Sequence, residues 1–231
     1  MSLRELLPRE WRRRRLARTV PDGALRSFYQ VPFPAGRRAW REVEYVALDL
    51  ETTGTDPRSE EIVSFGWVLL RGAAVDLSTA TRRMVRTSKA MPERSAVIHA
   101  ITDDEAGRGE PACAVLQDLL AVLAGRVLIA HYAPTERGFL DAACRRCFGG
   151  GLLVPTVDTM QLAQRRLLRR GKVPARGELR LAALRETHNL PLYPLHDALV
   201  DALAAAELFL AQAEEASDAA PAPLGELLAY D

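Results

Sequence analysis

Two carboxylates two residues apart close a largely apolar segment. Residues 43–49 read Val-Glu-Tyr-Val-Ala-Leu-Asp, followed by Leu50, Glu51 and the turn-like Thr52-Thr53-Gly54. Apolar and β-branched residues ended by such a turn signature predict a strand. Side chains alternate faces along a strand, so Asp49 and Glu51 point the same way at its end. Like charges that close are costly unless a proton or a cation intervenes. Hard divalent cations with oxygen ligands, Mg2+ or Mn2+, are the natural remedy. A solvated acidic turn capped by Thr52 and Thr53 is the plainer alternative, so the pair alone is only suggestive.

The remaining elements follow from periodicity. Residues 62–70 read as a second strand and 74–85 as a third, and the short Arg71-Gly72 turn between them favours an antiparallel hairpin. Helical spacing takes over across 112–124 and stops at Gly125. A short buried strand over 126–130, a helix over 134–148, a strand over 153–157 and a helix from about Thr159 come next. The last long helix spans 197–215, and 217–223 reads as a loose Ala/Pro-rich tail. Strands first, then alternating helices and strands, predict an α/β domain with a mixed sheet. The chain divides into a basic N-terminal arm (1–40), a main body (41–215) and a short C-terminal tail (216–231). A helix over 3–17 begins the arm, and Pro21, Pro32, Pro34 and Gly36 then break regular structure.

Composition narrows the function classes. No apolar run approaches the roughly 20 residues a bilayer span requires. The first residues lack the apolar core of a secretory signal, so a cytoplasmic protein without a membrane partner is the default expectation. Cys113, Cys144 and Cys147 do not suggest a disulfide framework. Cys144 and Cys147 form a CxxC, which could read as half a zinc site or a redox pair; two ordinary helix cysteines are the plainer reading, with no second pair in view. Residues 1–40 hold ten arginines against three acids, a local net of +7 that leaves −6 for the remainder. A basic arm beside a carboxylate-rich body suits an enzyme of polyanions, and a solvated arginine-rich helix explains Arg12 to Arg15 equally well.

More carboxylates lie downstream. Residues 196–201 read His-Asp-Ala-Leu-Val-Asp and open the last helix. Asp197 fits a helix start, favoured by the dipole, while Asp201 lies one turn further on among alanines and leucines. An Asp amid so many apolar residues is rarely idle, a tolerated exposed face being the plainer alternative. Residues 128–140 place a strand, a turn with His131 and Pro134, and a helix carrying Glu136, which read blind is an ordinary helix residue.

Taken together, residues 46–54, 98–102, 128–140, 157–159 and 196–201 resemble, in order and spacing, the motifs of the DEDDh 3′→5′ exonucleases, the DnaQ-like family that includes polymerase III proofreading subunits. The resemblance covers roughly residues 43–212. It implies a ribonuclease H-like fold with a central mixed five-stranded sheet flanked by helices, and two divalent cations, Mg2+ or Mn2+. Asp49, Glu51 and Asp201 match the family's metal ligands and His196 its general base. Asp49 would bridge the ions, Glu51 and Asp201 hold one, and Glu136 complete the other. His99 matches a histidine near the terminal nucleotide, Asp158 a supporting acid, and the backbone of Leu50, Thr52 and Thr53 would face the terminal sugar and base. One departure matters: Glu136 stands where the family has Asp, which moves the carboxylate by roughly 1.5 Å, and Tyr132 and Thr135 replace the usual Asn and Phe beside it. The implied function is removal of nucleotides from the 3′ end of single-stranded DNA or RNA, DNA favoured, as 5′-monophosphates. An RNA or oligoribonucleotide exonuclease, or a nucleic-acid-binding module weakened by Glu136, is the alternative. A polymerase partner is not evident, since little beyond the apolar 224–228 follows the last helix, and a free-standing enzyme is expected. The sequence leaves the oligomeric state open.

Overall fold

The expected carboxylate-bearing strand forms as β1 (Glu44–Thr52), third of five in the sheet. The computed structural model of the protein describes residues 8–88, 109–194, 196–217 and 219–230. Before β1 come α1 (Arg9–Thr19), α2 (Ala24–Gln30) and a 3-10 turn (Trp40–Glu42). After it come β2 (Ile62–Arg71), β3 (Ala74–Met84), α3 (Ala112–Leu123), β4 (Val127–Ala130) and α4 (Pro134–Phe148). Then follow β5 (Thr156–Asp158), α5 (Thr159–Arg169), α6 (Leu181–Thr187), α7 (Ala198–Glu215) and α8 (Leu224–Leu227).

The strands lie in the order β3-β2-β1-β4-β5. β1 to β3 form an antiparallel meander whose second turn uses Gly72 at φ +61, while β4 and β5 run parallel to β1. The sheet is thus mixed and five-stranded, flanked by helices, as the family resemblance implies.

Alternation along β1 sorts the core into two layers. Val46, Leu48 and Leu50 face one way and pack with Phe28, Leu116, Leu120, Phe139 and Leu140 from α2, α3 and α4. Tyr45 and Ala47 face the other way, onto Ala206 and Phe209 of α7 and Leu224 and Leu227 of α8. By the same parity Asp49 and Glu51 belong to the α7 side. That face of α7 is rich in alanine (Ala198, Ala202, Ala205, Ala206 are buried), which lets the helix lie close on the sheet.

The N-terminal segment is laid on this body. Leu25, Phe28 and Tyr29 are buried, a contribution of several kcal/mol at about 1.5–3 kcal/mol per large apolar side chain. Tyr29 donates its hydroxyl to the Gly151 carbonyl at 2.7 Å and accepts from Leu153 N at 2.7 Å. Within the arginine run, Arg13 is buried, donating to Glu10 at 2.6 Å and to the Tyr29 carbonyl, whereas Arg14 is exposed. At least one arginine of the run is therefore a structural residue.

Three expectations are corrected. Cys113 and Cys147 form a disulfide that ties α3 to α4, with Cα atoms 5.4 Å apart, and Cys144 is the free, buried thiol. The bridging pair lies 34 residues apart in the chain, so attention to the local CxxC missed it. The segment after α7 is loose only in part: Ala219, Ala220 and Pro221 are exposed, whereas Ala39 and Pro223 form a bridge, Trp40 N donates to Ala222 O, and Ala222, Leu224 and Leu227 are buried. Ala222 and Pro223 make a packed strap that leads into α8. The fifth strand begins at Thr156 rather than residue 153. Among the described residues no helix is long and apolar enough to cross a membrane.

Candidate active site

The three parallel strands, β1, β4 and β5, end along one edge of the sheet, where α/β folds commonly bind ligands. β4 stops at Ala130, and its last pairing with β1 is Ala47 to Ile129. Residues 49–52 of β1 therefore run on with β2 on one side and, among the described residues, no strand neighbour on the other. The side chains there do not all face outward. Leu50 is buried in the core, Thr52 Oγ1 donates to Gly54 O at 2.7 Å, and Thr53 Oγ1 donates to Glu60 at 2.5 Å while accepting from Glu61 N at 3.0 Å. What this stretch offers a ligand is its backbone and the two carboxylates.

α7 supplies the third carboxylate. Asp197 caps the helix, accepting from Leu199 N at 3.0 Å and Val200 N at 3.2 Å, and Arg82 lies 3.4 Å from it. Asp201 follows in the first turn. The first turn rests directly on β2 at Gly66, where a Cβ would stand 2.1 Å from both the Ala198 carbonyl carbon and Leu199 N. Gly66 pairs with Asp49 across the sheet, so the gap in β2 brings Asp201 over Asp49. Carboxylate oxygens of Asp49, Glu51 and Asp201 lie within 4.8 Å of one another. Gly66 was overlooked in the sequence, although a lone glycine inside a strand marks close backbone approach.

Glu136, in the first turn of α4, is buried and stands outside that trio, yet its charge is the strongest charge influence on Asp49. Asp158 fixes where α4 starts. It accepts from Tyr132 N and Ala133 N, each at 3.1 Å, and caps α5 through Met160 N at 3.0 Å and Gln161 N at 3.2 Å. One carboxylate thus pins the starts of two helices. Tyr132 (φ +65) and His196 (φ +71), left-handed without being glycine, each sit just ahead of a carboxylate-bearing helix, a kind of strain of order 1–3 kcal/mol that clusters at functional sites. His196 is exposed, and its backbone N–H donates to Asp201 Oδ2 at 3.0 Å. His99 lies outside the described residues.

The electrostatics are those of a cluster short of positive charge. Burial, then the charges of Glu136, Glu51, Asp201 and Asp197, push the Asp49 carboxyl well above the usual range. Burial first, with Asp158 and Glu51 adding, pushes Glu136 up to about 8. Burial also raises Asp201. Glu136 Oε2 and Asp201 Oδ1 are buried without a hydrogen-bond partner. Buried carboxylate oxygens left over in this way, on an all-oxygen donor set, fit hard divalent cations.

The folded chain keeps the Glu136 proton up to about pH 8, whereas the unfolded chain releases it near 4.5. The folded state then binds more protons across that window, so stability falls as pH rises through it. In EDTA the melting temperature should decline from the acid to the alkaline end, and Mn2+ should raise it most at the alkaline end. A metal-induced rise of equal size at both ends would count against cation binding by this cluster.

Comparison with known proteins agrees with the geometry. The RNase T family model, described as an exonuclease family, matches residues 46–209. The chain is 33% identical over 205 residues to a Mycobacterium tuberculosis protein provisionally named a bifunctional exonuclease/endonuclease, covering 85% of this chain and 30% of that one. It is 29% identical to a PolC-type DNA polymerase III of Thermotoga petrophila, of which it spans 12%. It is 30% identical to the DNA polymerase III subunit epsilon of Treponema pallidum, covering 72% of this chain and 75% of the relative. The chain thus spans under a third of the first two relatives. Among solved structures, E. coli exonuclease I bound to a 5cy-dT13 oligonucleotide superimposes with a TM-score of 0.60 at 15% identity, over 72% of this chain and 40% of that one. Exonuclease X in complex with 5′-overhanging duplex DNA gives 0.59 at 19% identity, over 79% and 98%. These likenesses share the ribonuclease H-like exonuclease fold. With its matched region running from β1 into α7 and every motif carboxylate on one edge, the chain belongs to the RNase T exonuclease family, among the DnaQ-like exonucleases.

Proposed function

We propose that this chain is a 3′→5′ exonuclease that hydrolyses the terminal phosphodiester bond of a nucleic acid strand, DNA favoured, and releases nucleoside 5′-monophosphates. The observation that carries the reading is the convergence of Asp49, Glu51 and Asp201 within 4.8 Å, beside buried Glu136. Family membership supports nuclease chemistry, and the DNA complexes of exonuclease I and exonuclease X support a DNA strand as the ligand.

Asp49, Glu51, Asp201 and Glu136 would hold two divalent cations, Mg2+ or Mn2+. When bound, such a pair neutralises the phosphate and stabilises the attacking and leaving oxygens of an in-line displacement. The chain's own groups do the rest. His196, held at the mouth of α7, accepts a proton from the attacking water. The water oxygen bonds to phosphorus, and the bond to the 3′ oxygen of the penultimate nucleotide breaks, leaving that oxygen to take up a proton. Asp158 keeps Glu136 in place through its hold on residues 132 and 133. The backbone of Leu50, Thr52 and Thr53, at the stretch of β1 that β4 leaves uncovered, faces the terminal sugar and base. His99 is assigned to the same nucleotide.

The test is a digestion panel of end-labelled single-stranded DNA, duplex DNA and RNA with Mg2+ or Mn2+. Single-nucleotide products that appear from the 3′ end and vanish in EDTA are expected. Products from the 5′ end, or none with either metal, would refute the reading, and faster loss of RNA would shift the substrate. His196→Ala should lower kcat by about 10²–10⁴-fold, the usual size of a general-base contribution, with Asp201 still in position.

A further inference from the structure

An acidic edge repels the polyanion it is meant to receive, so some neighbouring surface must hold the strand. Residues 165–180 carry seven cations against one carboxylate, in a body that is otherwise net acidic. Two of the seven are occupied: Arg165 donates to the Leu228 and Leu227 carbonyls, and Arg166 pairs with Glu215. The single carboxylate, Glu178, is folded back onto Ala175 N at 2.6 Å. Arg169, Arg170, Lys172, Arg176 and Arg180 are exposed and make no ion pair among the described residues. Leu168, 54% exposed, precedes this run and Val173, 85% exposed, stands within it.

The connection has a defined course. α5 starts beside Asp158 at the carboxylate edge and carries the chain about 15 Å away, at 1.5 Å per residue. Gly171 at φ +69 ends the helix, with Lys172 N returning to Leu167 O at 2.9 Å. The loop then comes back. Leu179 packs on Ala163, Leu184 and Leu208, and its backbone lies against His131, the residue after β4. A ribbon of unpaired cations thus runs from the far end of α5 to the edge that bears Asp49 and Glu51.

We propose that the α5–α6 connection, through Arg169, Arg170, Lys172 and Arg176, is a docking track for single-stranded nucleic acid upstream of its terminal nucleotide. This rests on the proposed reading of the site as a nuclease centre. Cations without internal partners neutralise successive phosphates, and Leu168 and Val173 offer apolar surface to sugars and bases. A contact of this kind is sequence-independent and salt-sensitive. It acts on strands long enough to leave the site and does nothing for a dinucleotide.

The experiment compares the full chain with a variant combining Arg169→Ala, Arg170→Ala, Lys172→Ala and Arg176→Ala. Binding of a labelled oligothymidylate is measured in EDTA across a range of salt, alongside turnover of a dinucleotide. The variant should bind at least about tenfold more weakly at low salt. Its slope of log affinity against log salt should flatten by about 3, at about 0.7 per phosphate contact on a single strand. Dinucleotide kcat/KM should stay within about twofold of wild type, since that substrate makes no contact with the ribbon. An unchanged affinity and salt slope would overturn the track, as would equal competition by polyglutamate. If neither protein cleaves anything yet the slope still flattens, the track stands and the hydrolytic reading falls.

Discussion

Asp49→Asn is expected to abolish hydrolysis while making the metal-free protein melt at a higher temperature. The two effects share a cause. Asp49 sits among Glu136, Glu51, Asp201 and Asp197, whose charges, with burial, hold its carboxyl well above the ordinary range. An amide of the same shape removes that repulsion and leaves the β1–β2 pairing at Gly66 untouched. It also removes the oxygen charge on which a cation pair would be centred. Several kcal/mol of transition-state stabilisation are at stake in such a pair, and at 1.36 kcal/mol per tenfold this is at least about 10³-fold in rate. Turnover with Mn2+ and melting in EDTA, measured on the same preparation, separate the possibilities. A variant that keeps its activity would remove Asp49 from the centre. One that loses activity and also melts lower in EDTA would place Asp49 among the structural residues instead.

The fold was legible where a local pattern and a tertiary contact say the same thing. Residues 134–148 are bounded by a proline at the start and glycine at the end, and α4 has those limits. Asp49 and Glu51 share a face because strand parity demands it, and Asp201 meets them because a one-turn offset from the capping Asp197 turns it toward the sheet. What was hidden involves partners far apart in the chain. Nothing near Asp158 announces that it will collect amides from residues 132 and 133 as well as from 160 and 161. The Cys113–Cys147 bridge depends on two helices crossing, and the strap at Pro223 depends on a bridge to Ala39. The family resemblance singled out Glu136 as a departure. Its burial, its raised carboxyl and its partnerless oxygen required the surrounding helices to be in place.

Among the described glycines, Gly66 leaves the least room for a Cβ, and Gly66→Ala should damage both stability and turnover; it tests how the site is assembled without touching a carboxylate. The added Cβ would lie 2.1 Å from the Ala198 carbonyl carbon and from Leu199 N, and 2.3 Å from the Ala198 carbonyl oxygen. Carbon contacts settle near 3.5–4.0 Å, so α7 must retreat by about 1 Å or more. No side-chain rotation can relieve a clash with backbone, and Ala198→Gly would not rescue it. Overpacking of this kind costs about 1–3 kcal/mol and sometimes more, which a urea melt will register. The larger consequence concerns chemistry. Asp201 rides on the displaced turn while Asp49 stays on β1, so the 4.8 Å cluster opens. A misplacement of about 1 Å is enough to lower a rate by about 10²-fold, and saturating Mn2+ should not restore it if the oxygens can no longer converge. Wild-type kcat in a folded Gly66→Ala protein would mean that Asp201 need not approach Asp49 as closely as the bare glycine allows, and the shared-cation geometry would have to be abandoned.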